Sequence, residues 1–462
     1  MKKLLYALAL GPTLTLAVPA LAADATAADS PVPSDTEIQR MVDDRVATYQ
    51  DTVGLVVGIV TPQSRKIFMR GTYDVGDDVP VDGDTIFDIG GVSKLFTALL
   101  LSDMVRKGEV GLRDPAQKYL AGDMKLPARG RPITLLDLAT HRSGLPPEPS
   151  NVLITDPNNP NKSVSPEQLE KFLAGYELPR EVGAEYEYSD LGYEVLALAL
   201  AAREQKDFAS LLSSRILEPM HLASTGFDPA GTAKDKVTIG HDAHLQPIRP
   251  KPLPALLGAN SLKSSAKDLM ELVAAAMGDP NAKLAPSATD MLKVRLATDV
   301  ESRSAGIGWY IATVDGADIV WLNSEANGYR SFVGFAPAKH LGVVLLSNSV
   351  NPIDDLAIHL LDPQSPLRTL RRAVQVDPAR FDQFVGMFAV NNNFLINITR
   401  DKGRLFIQPY GQSRAELFAE SDDKFFLRDL DAEVTFQTDS AGYAQSLLLT
   451  QGKDIKIAKR IR

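Results

Sequence analysis

The pattern of apolar and polar residues predicts strands at both ends of a long helical region. Apolar or alternating runs at Val53–Ile59 and Lys66–Arg70, joined by a Pro-Gln-Ser turn, are typical of a strand hairpin. Helical spacing between Pro- and Gly-rich loops dominates from about residue 115 to 280, and four strand patterns return between 306 and 347. Strands that flank helices in this way indicate one sheet closed by distant segments, which is an α+β fold.

A second strand-rich region occupies residues 378–462. Short strand patterns recur there between Asp-, Gly- and Asn-containing turns, at Phe394–Thr399, Arg404–Pro409, Ala415–Ala419, Lys424–Leu427, Glu433–Gln437 and Ser446–Gln451. We therefore predict a small antiparallel barrel or sandwich. A connecting segment at 351–377 is expected to join it to the larger domain at 37–350.

The first residues have the pattern of a secretory signal. Lys2 and Lys3 precede the apolar run Leu4–Val18, which ends in small residues. The run is too short and interrupted to span a bilayer, which takes about 20 apolar residues. We predict a signal peptide at 1–22 and a flexible leader at 23–36, and we expect a periplasmic or secreted protein without a membrane anchor.

Composition narrows the chemistry further. The chain has no cysteine, which excludes disulfides, cysteine nucleophiles and Cys-ligated metals. Its net charge of −9 argues against a nucleic-acid partner, because such partners call for a basic surface. We expect no cofactor, no metal and no nucleic-acid partner.

One segment carries the most informative motif. Thr85–Ala98 resembles the serine active-site segment of the class C β-lactamase and D-alanyl-D-alanine peptidase family, which also contains esterases and D-aminopeptidases. In that family Ser-x-x-Lys opens a long helix, so that both side chains lie on one face and the lysine amine takes the hydroxyl proton. The resemblance implies that Lys94 is the family's base.

Further matches follow in the family's order. Leu138–Leu145 resembles its "LLTHTSGLP" turn, and Tyr186–Tyr193 resembles its Tyr-x-Asn segment, which makes Tyr188 the acid/base partner of the lysine and Asp190 a substrate-binding residue. Gly306–Trp309 and Gly328–Pro337 resemble its returning strands. The resemblance covers about 36–350 and implies a β-lactamase/transpeptidase-like antiparallel sheet with flanking helices and an all-helical lobe. The C-terminal part resembles a small β-rich domain of unknown function.

The chain departs from the family at two elements. Aligning Lys94 with the family's lysine places Gly91 at the nucleophile, and Ser93 cannot replace it because two residues along a helix turn it away. The family's Lys/His-Thr-Gly element would fall at Asn323-Ser324-Glu325, which we predict to lie at the substrate site without the usual positive group. Because two separate elements are changed, natural loss is favoured over an engineered substitution.

Several residues have structural as well as functional interpretations. Lys94 is either a working base or a relic that pairs with Asp190 or Tyr188. His141 is interpreted as structural. A metal site at His241 and His244 is not favoured, because no third ligand is evident.

A second Ser-x-x-Lys match has a structural interpretation. Ser264-Ser265-Ala266-Lys267 fits the spacing, but it resembles a helix start at which one of the serines is the cap.

Three hypotheses follow for function. The first is a member that has lost its nucleophile and binds a peptidoglycan-type, peptide or small acyl ligand, or a protein partner, without efficient hydrolysis. The second is an active amide or ester hydrolase in which Lys94 and Tyr188 act on water, or in which a different serine attacks. The third assigns the work to the C-terminal domain.

Overall fold

The computed structural model describes residues 32–120, 122–150, 166–227, 235–248 and 256–462. These form two compact units. The larger comprises Val32–Ala47 and Thr52–Pro366, and the smaller comprises Thr48–Asp51 and Leu367–Arg462. The predicted signal peptide at 1–22 and most of the predicted leader lie outside the described residues.

Strands of the larger unit come from both ends of its sequence. They are β1 (Gly54–Val60), β2 (Arg65–Gly71), β3 (Ile86–Asp88), β4 (Gly240–His241), β5 (Pro247–Ile248), β6 (Lys263–Ser265), β7 (Leu296–Ala297), β8 (Arg303–Ala305), β9 (Tyr310–Val314), β10 (Ala317–Ala326), β11 (Tyr329–Ala336) and β12 (Leu341–Ser347). Eight of these form one antiparallel sheet in the order β2-β1-β12-β11-β10-β9-β8-β7. The hairpin β1-β2 therefore joins the late strands through β12, as the sequence predicted.

Helices cover both faces of this sheet. They are α1 (Asp35–Asp43), α2 (Lys94–Arg106), α3 (Leu135–Ala139), α4 (Pro166–Gly175), α5 (Asp190–Glu204), α6 (Phe208–Leu212), α7 (Leu257–Asn260), α8 (Ala266–Ala276), α9 (Ala285–Asp290) and α10 (Asp354–Leu361). On one face, sheet residues such as Val56 and Val344 share a hydrophobic core with α2, α5 and α8. On the other, Val57 and Leu345 pack with α1 and α10. Every residue of β1 is buried, as expected of a strand covered on both sides.

Helix α10 belongs to the larger unit. Its apolar residues Leu356, Leu360 and Leu361 are fully buried in the core shared with β1 and β12. The sequence placed this helix inside a connecting segment at 351–377, whereas the units divide between Pro366 and Leu367. Proline-rich flanks suggested a linker there, although the helix has an apolar face of its own.

The smaller unit contains a closed antiparallel barrel. Its strands are β13 (Gly386–Asn391), β14 (Phe394–Asp401), β15 (Arg404–Pro409), β16 (Ala415–Ala419), β17 (Lys424–Phe426), β18 (Ala432–Thr438), β19 (Ala444–Gln451) and β20 (Asp454–Arg460). The first and last strands close it by pairing Phe388 with Arg460 and Ala389 with Lys459. Inside, Phe384 stacks on Phe436 with ring centroids 4.4 Å apart.

Within the described ranges, no helix has both the length and the hydrophobicity needed to cross a membrane.

Candidate functional site

Strand β10 approaches the start of helix α2 very closely. The chain leaves β3, bends at Gly90 with φ +48° and enters α2 through a tight turn at Gly90–Ser93. A β-carbon added to Gly90 would lie 2.5 Å from Ser324 Oγ and 2.7 Å from Ala326 Cβ. Both the positive φ and this contact favour glycine at position 90.

The structure places the predicted residues Lys94 and Tyr188 around Gly91. A β-carbon added to Gly91 would lie 2.8 Å from Lys94 Nζ and 3.5 Å from Tyr188 Oη. The backbone N–H of Gly91 donates to Ser324 Oγ at 2.7 Å. Lys94 Nζ therefore occupies part of the space in which a side chain at position 91 would begin.

Lys94 is buried among hydrogen-bond acceptors. Only 2% of it is exposed, and its Nζ donates to Tyr188 Oη at 2.7 Å and to Asp190 Oδ1 at 2.8 Å. The backbone oxygen of Ala259 lies 3.5 Å from the same nitrogen. An ammonium group has three N–H donors and no lone pair, which matches this set of acceptors.

Asp190 is the counter-ion of Lys94. It is the first residue of α5, which Ser189 caps by accepting from the Gly192 N–H at 2.8 Å, and a carboxylate is favoured at that end of a helix. Burial would raise the pKa of Asp190, but the Lys94 charge and the hydrogen bonds from Lys94 and Tyr188 outweigh it and hold the pKa below its ordinary value. Asp190 is thus ionised. It forms an ion pair with Lys94, in addition to the substrate-binding role that the resemblance implied.

Tyr188 completes this cluster and is oriented by His141. Its hydroxyl donates to Asp190 Oδ1 at 2.8 Å, and burial together with the Asp190 charge raises its pKa well above the ordinary value. The His141 ring stacks on Tyr188 with centroids 4.8 Å apart, and His141 Nδ1 accepts from the Ser189 N–H at 3.0 Å. Burial, reinforced by the Lys94 charge, lowers the His141 pKa to about 3, so this ring is neutral and supports the tyrosine.

The residues of β10 divide between the two faces of the sheet, because side chains alternate along a strand. Ser324 faces Gly91. Asn323 instead donates from Nδ2 to Asp354 Oδ1 at 2.9 Å, and Glu325 accepts from Arg330 at 2.7 Å. The structure places the Asn323 and Glu325 side chains away from Gly91, and their role in substrate binding stays a prediction.

This placement has a simple cause. Successive side chains along a strand point to opposite faces of the sheet, so Ser324 faces Gly91 while the side chains of Asn323 and Glu325 do not. The neighbours of Ser324 on the site face are Leu322, which belongs to the buried core, and Ala326, which lies beside Gly90. A positive group is therefore absent from this part of β10, as the sequence indicated.

Sequence reasoning missed three polar residues near the cluster. Asn260 Nδ2 lies 3.5 Å from Asp190 Oδ2, at the end of α7. The hydroxyls of Tyr186 and Tyr310 are 2.9 Å apart. Tyr186 lies in the matched tyrosine segment and could have been proposed, whereas Asn260 and Tyr310 have no local pattern that distinguishes them.

The alternative motifs are structural. Ser265 caps α8 by accepting from the Asp268 N–H, and Lys267 pairs with Asp84 on the surface at 2.7 Å. His241 is fully buried between Asp74 and the backbone oxygen of Asn348. Among the residues that the structure describes, no group of three or more His, Asp or Glu side chains could hold a metal ion.

Comparison with known proteins gives matches over both units. The family model described as "Beta-lactamase" matches residues 38–361, and a model for a domain of unknown function (DUF3471) matches residues 370–459. The D-alanyl-D-alanine-carboxypeptidase/endopeptidase AmpH of Escherichia coli is 25% identical over 320 residues, which are 66% of this chain and 81% of that protein.

A solved structure and a longer relative extend this comparison. The crystal structure of a class C beta lactamase from Rhodobacter sphaeroides superposes with a TM-score of 0.62 at 23% identity, covering 71% of this chain and 99% of that one. Protein flp of Staphylococcus aureus is 23% identical over 318 residues, and the match spans 62% of its length. The structural likeness supports the β-lactamase/transpeptidase-like fold predicted for the larger domain.

Proposed function

Since the chain belongs to the beta-lactamase family, we propose that it is a member that binds its ligand reversibly and forms no acyl-enzyme. The ligand class we propose is an acylated peptide with a C-terminal D-alanine, or a small acyl compound of similar shape. The name of AmpH supports this class, because it describes a D-alanyl-D-alanine peptidase with which this chain shares the matched region.

The observation that carries the proposal is the position of the Lys94 ammonium. It lies 2.8 Å from the point where a β-carbon at position 91 would be, and 2.8 Å from Asp190 Oδ1. Position 91 has no hydroxyl to form an acyl-enzyme, and the lysine nitrogen is held by Asp190 and Tyr188.

The same geometry argues against attack by an activated water. A general base must accept the proton of the water, but Lys94 donates to both of its side-chain partners. Tyr188 keeps its proton because its pKa is raised, and that proton is directed to Asp190 Oδ1. Asp190 is the carboxylate that contacts both Lys94 and Tyr188, and it is neutralised by Lys94.

Reversible binding needs polar groups that a ligand can reach. Although its hydroxyl lies against Lys94 and Asp190, Tyr188 as a whole is 36% exposed, and Ser324 and Asn260 are half-buried beside the cluster. These groups can donate to or accept from an amide of the ligand. Export, which the N-terminal pattern favours, would place the protein where peptidoglycan peptides occur.

Binding and turnover should be measured on the same preparation. We expect the parent protein to give no hydrolysis of nitrocefin or p-nitrophenyl acetate and no covalent adduct by intact-mass spectrometry. N-acetyl-Lys-D-Ala-D-Ala should raise its thermal stability, since a ligand at 100 times its Kd contributes about 2.7 kcal/mol. The matched control is the same peptide with L-alanines, which should give a smaller shift.

Two results would count against the proposal. Turnover or a covalent adduct in the parent protein would favour the active-hydrolase alternative. Equal shifts with the D- and L-peptides, or none with either, would reject the ligand class.

A further inference from the structure

Besides the role in ligand binding proposed above, Ser324 makes a contact with the backbone at position 91. Its hydroxyl accepts from the N–H of Gly91 at 2.7 Å, at the first turn of the segment that leads into α2. The neighbouring N–H of Gly90 donates to Asp88 Oδ1 at 2.9 Å. Both amides at this turn therefore already have side-chain acceptors.

The Gly91 amide is the one most relevant to acyl transfer. When a nucleophilic side chain attacks a carbonyl, its own backbone N–H is well placed to stabilise the oxygen that becomes negative. An oxyanion can use this donor only if no other acceptor occupies it. In this chain the acceptor position is filled by the Ser324 hydroxyl.

The surroundings of Ser324 are shaped to hold it there. A β-carbon at Gly91 would lie 3.3 Å from Ser324 Oγ, so the hydroxyl stands directly beside the position where a substrate carbonyl would be attacked. Glycine at position 90 removes the side chain that would otherwise collide with this oxygen. Ser324 and the two glycines thus form one close-packed arrangement.

We propose that Ser324 blocks the oxyanion position of this site, as a second loss of function independent of the missing nucleophile. Restoring a hydroxyl at position 91 is then insufficient for efficient acylation, and removal of the Ser324 hydroxyl is needed as well. The inference rests on the proposed function only in that the parent protein performs no covalent step.

Ser324 is not itself arranged as a nucleophile. Its oxygen accepts the Gly91 N–H, and the Lys94 amine is directed to Tyr188 and Asp190. Without a base to take its proton, the hydroxyl remains a weak nucleophile. We therefore assign Ser324 a blocking role.

The test compares variants of the full chain. Gly91→Ser, Ser324→Ala, the double variant Gly91→Ser/Ser324→Ala and the control Gly91→Ser/Ser304→Ala are treated with a fluorescent penicillin, and acylation is followed by intact mass. Ser304 is a half-buried serine of β8 in the same sheet. In the reaction the introduced hydroxyl oxygen bonds to the lactam carbonyl carbon, the C–N bond breaks, and the nitrogen takes the hydroxyl proton.

Freeing one oxyanion donor should have a large effect, since removal of such a donor costs about 10²–10³ in rate. We expect Gly91→Ser/Ser324→Ala to acylate at least about tenfold faster than Gly91→Ser, and the Ser304→Ala control to match Gly91→Ser. Ser324→Ala alone should stay unreactive.

Three results would overturn the inference. These are equal or slower acylation of the double variant, no acylation in any variant that folds, and an adduct on Ser324 itself in the parent protein. Folding is checked by tryptophan fluorescence, and Ser324→Gly serves as a second removal of the hydroxyl if the alanine variant does not fold. Turnover by the parent would overturn the proposed function, whereas this inference depends on the comparison among the variants with serine introduced at position 91.

Discussion

The ion pair between Lys94 and Asp190 makes the replacement Asp190→Asn the most informative single change. Asparagine preserves the shape of the side chain and an oxygen that can accept from Lys94, but it removes the negative charge. The ammonium, only 2% exposed, would then be buried without its counter-ion. We expect a clear loss of stability of the larger unit.

The size of the loss follows from distance and burial. Two unit charges 2.8 Å apart attract by about 6 kcal/mol at an effective dielectric constant near 20, before desolvation is subtracted. Removing one partner of a buried pair costs about 3–5 kcal/mol in practice. Because 16% of the Asp190 side chain is exposed and asparagine retains a hydrogen bond, we expect a loss of about 3 kcal/mol.

Urea denaturation followed by tryptophan fluorescence measures this loss selectively. The chain has two tryptophans, Trp309 and Trp321, and both lie in the larger unit. The control is Asp84→Asn, which breaks the exposed Lys267–Asp84 pair and should cost less than about 1 kcal/mol.

The pH dependence gives a second check. The folded-state pKa of Asp190 is lowered, so its contribution to stability is present above the unfolded value near 3.8 and is lost as the pH falls through the folded pKa. The difference between parent and Asp190→Asn should therefore shrink under acid conditions. An Asp190→Asn protein as stable as the parent at pH 7 would refute the assignment of Lys94 and Asp190 as a buried ion pair.

Two further predictions concern carboxyl groups elsewhere in the larger unit. Burial raises the pKa of Glu194 from 4.5 to about 8, so its contribution to stability is present below pH 4.5 and lost as the pH rises through 8. Denaturation between pH 5 and 9 should show that Glu194→Gln flattens this decline in the free energy of unfolding. The change should reach up to several kcal/mol, at about 1.4 kcal/mol per pKa unit. The exposed control Glu177→Gln should leave the decline unchanged. Glu325→Gln should leave ligand-induced thermal shifts within error, because its partner is Arg330 on the opposite sheet face from Gly91; a lost shift would show that Glu325 reaches the ligand.

Much of the fold could be predicted because its strands have strong local patterns. The prediction of Leu341–Ser347 as a strand is confirmed at both ends, and Arg404–Pro409 and Ala415–Ala419 are confirmed likewise. The two strands that close the barrel, β13 and β20, were missed. In β20 only Ala458 is buried, and Ile455 and Ile457 are more than half exposed, so the usual alternation of buried apolar residues is weak there.

The site was predictable where it depends on a helix and less so where it depends on a strand. Three residues along a helix bring side chains to one face, which placed Lys94 correctly beside position 91. Along β10, side chains alternate between the two faces, so of the three predicted residues only Ser324 contacts the Gly91 amide, and the role of Asn323 and Glu325 stays a prediction. The contact of Ser324 with the Gly91 amide joins residues far apart in sequence, and no local pattern could reveal it.

The pairing of β1 with β12 has a consequence for how the protein is made. Leu55 pairs with Ser347, so the centre of the main sheet cannot form until nearly the whole larger unit has been synthesised. Until then the hairpin β1-β2 exposes a seven-residue apolar strand with an open edge, which is a template for aggregation. Folding of this chain should therefore depend on contacts that cover β1 until β12 has been synthesised. Slower synthesis of the late strands should lower the yield of native protein.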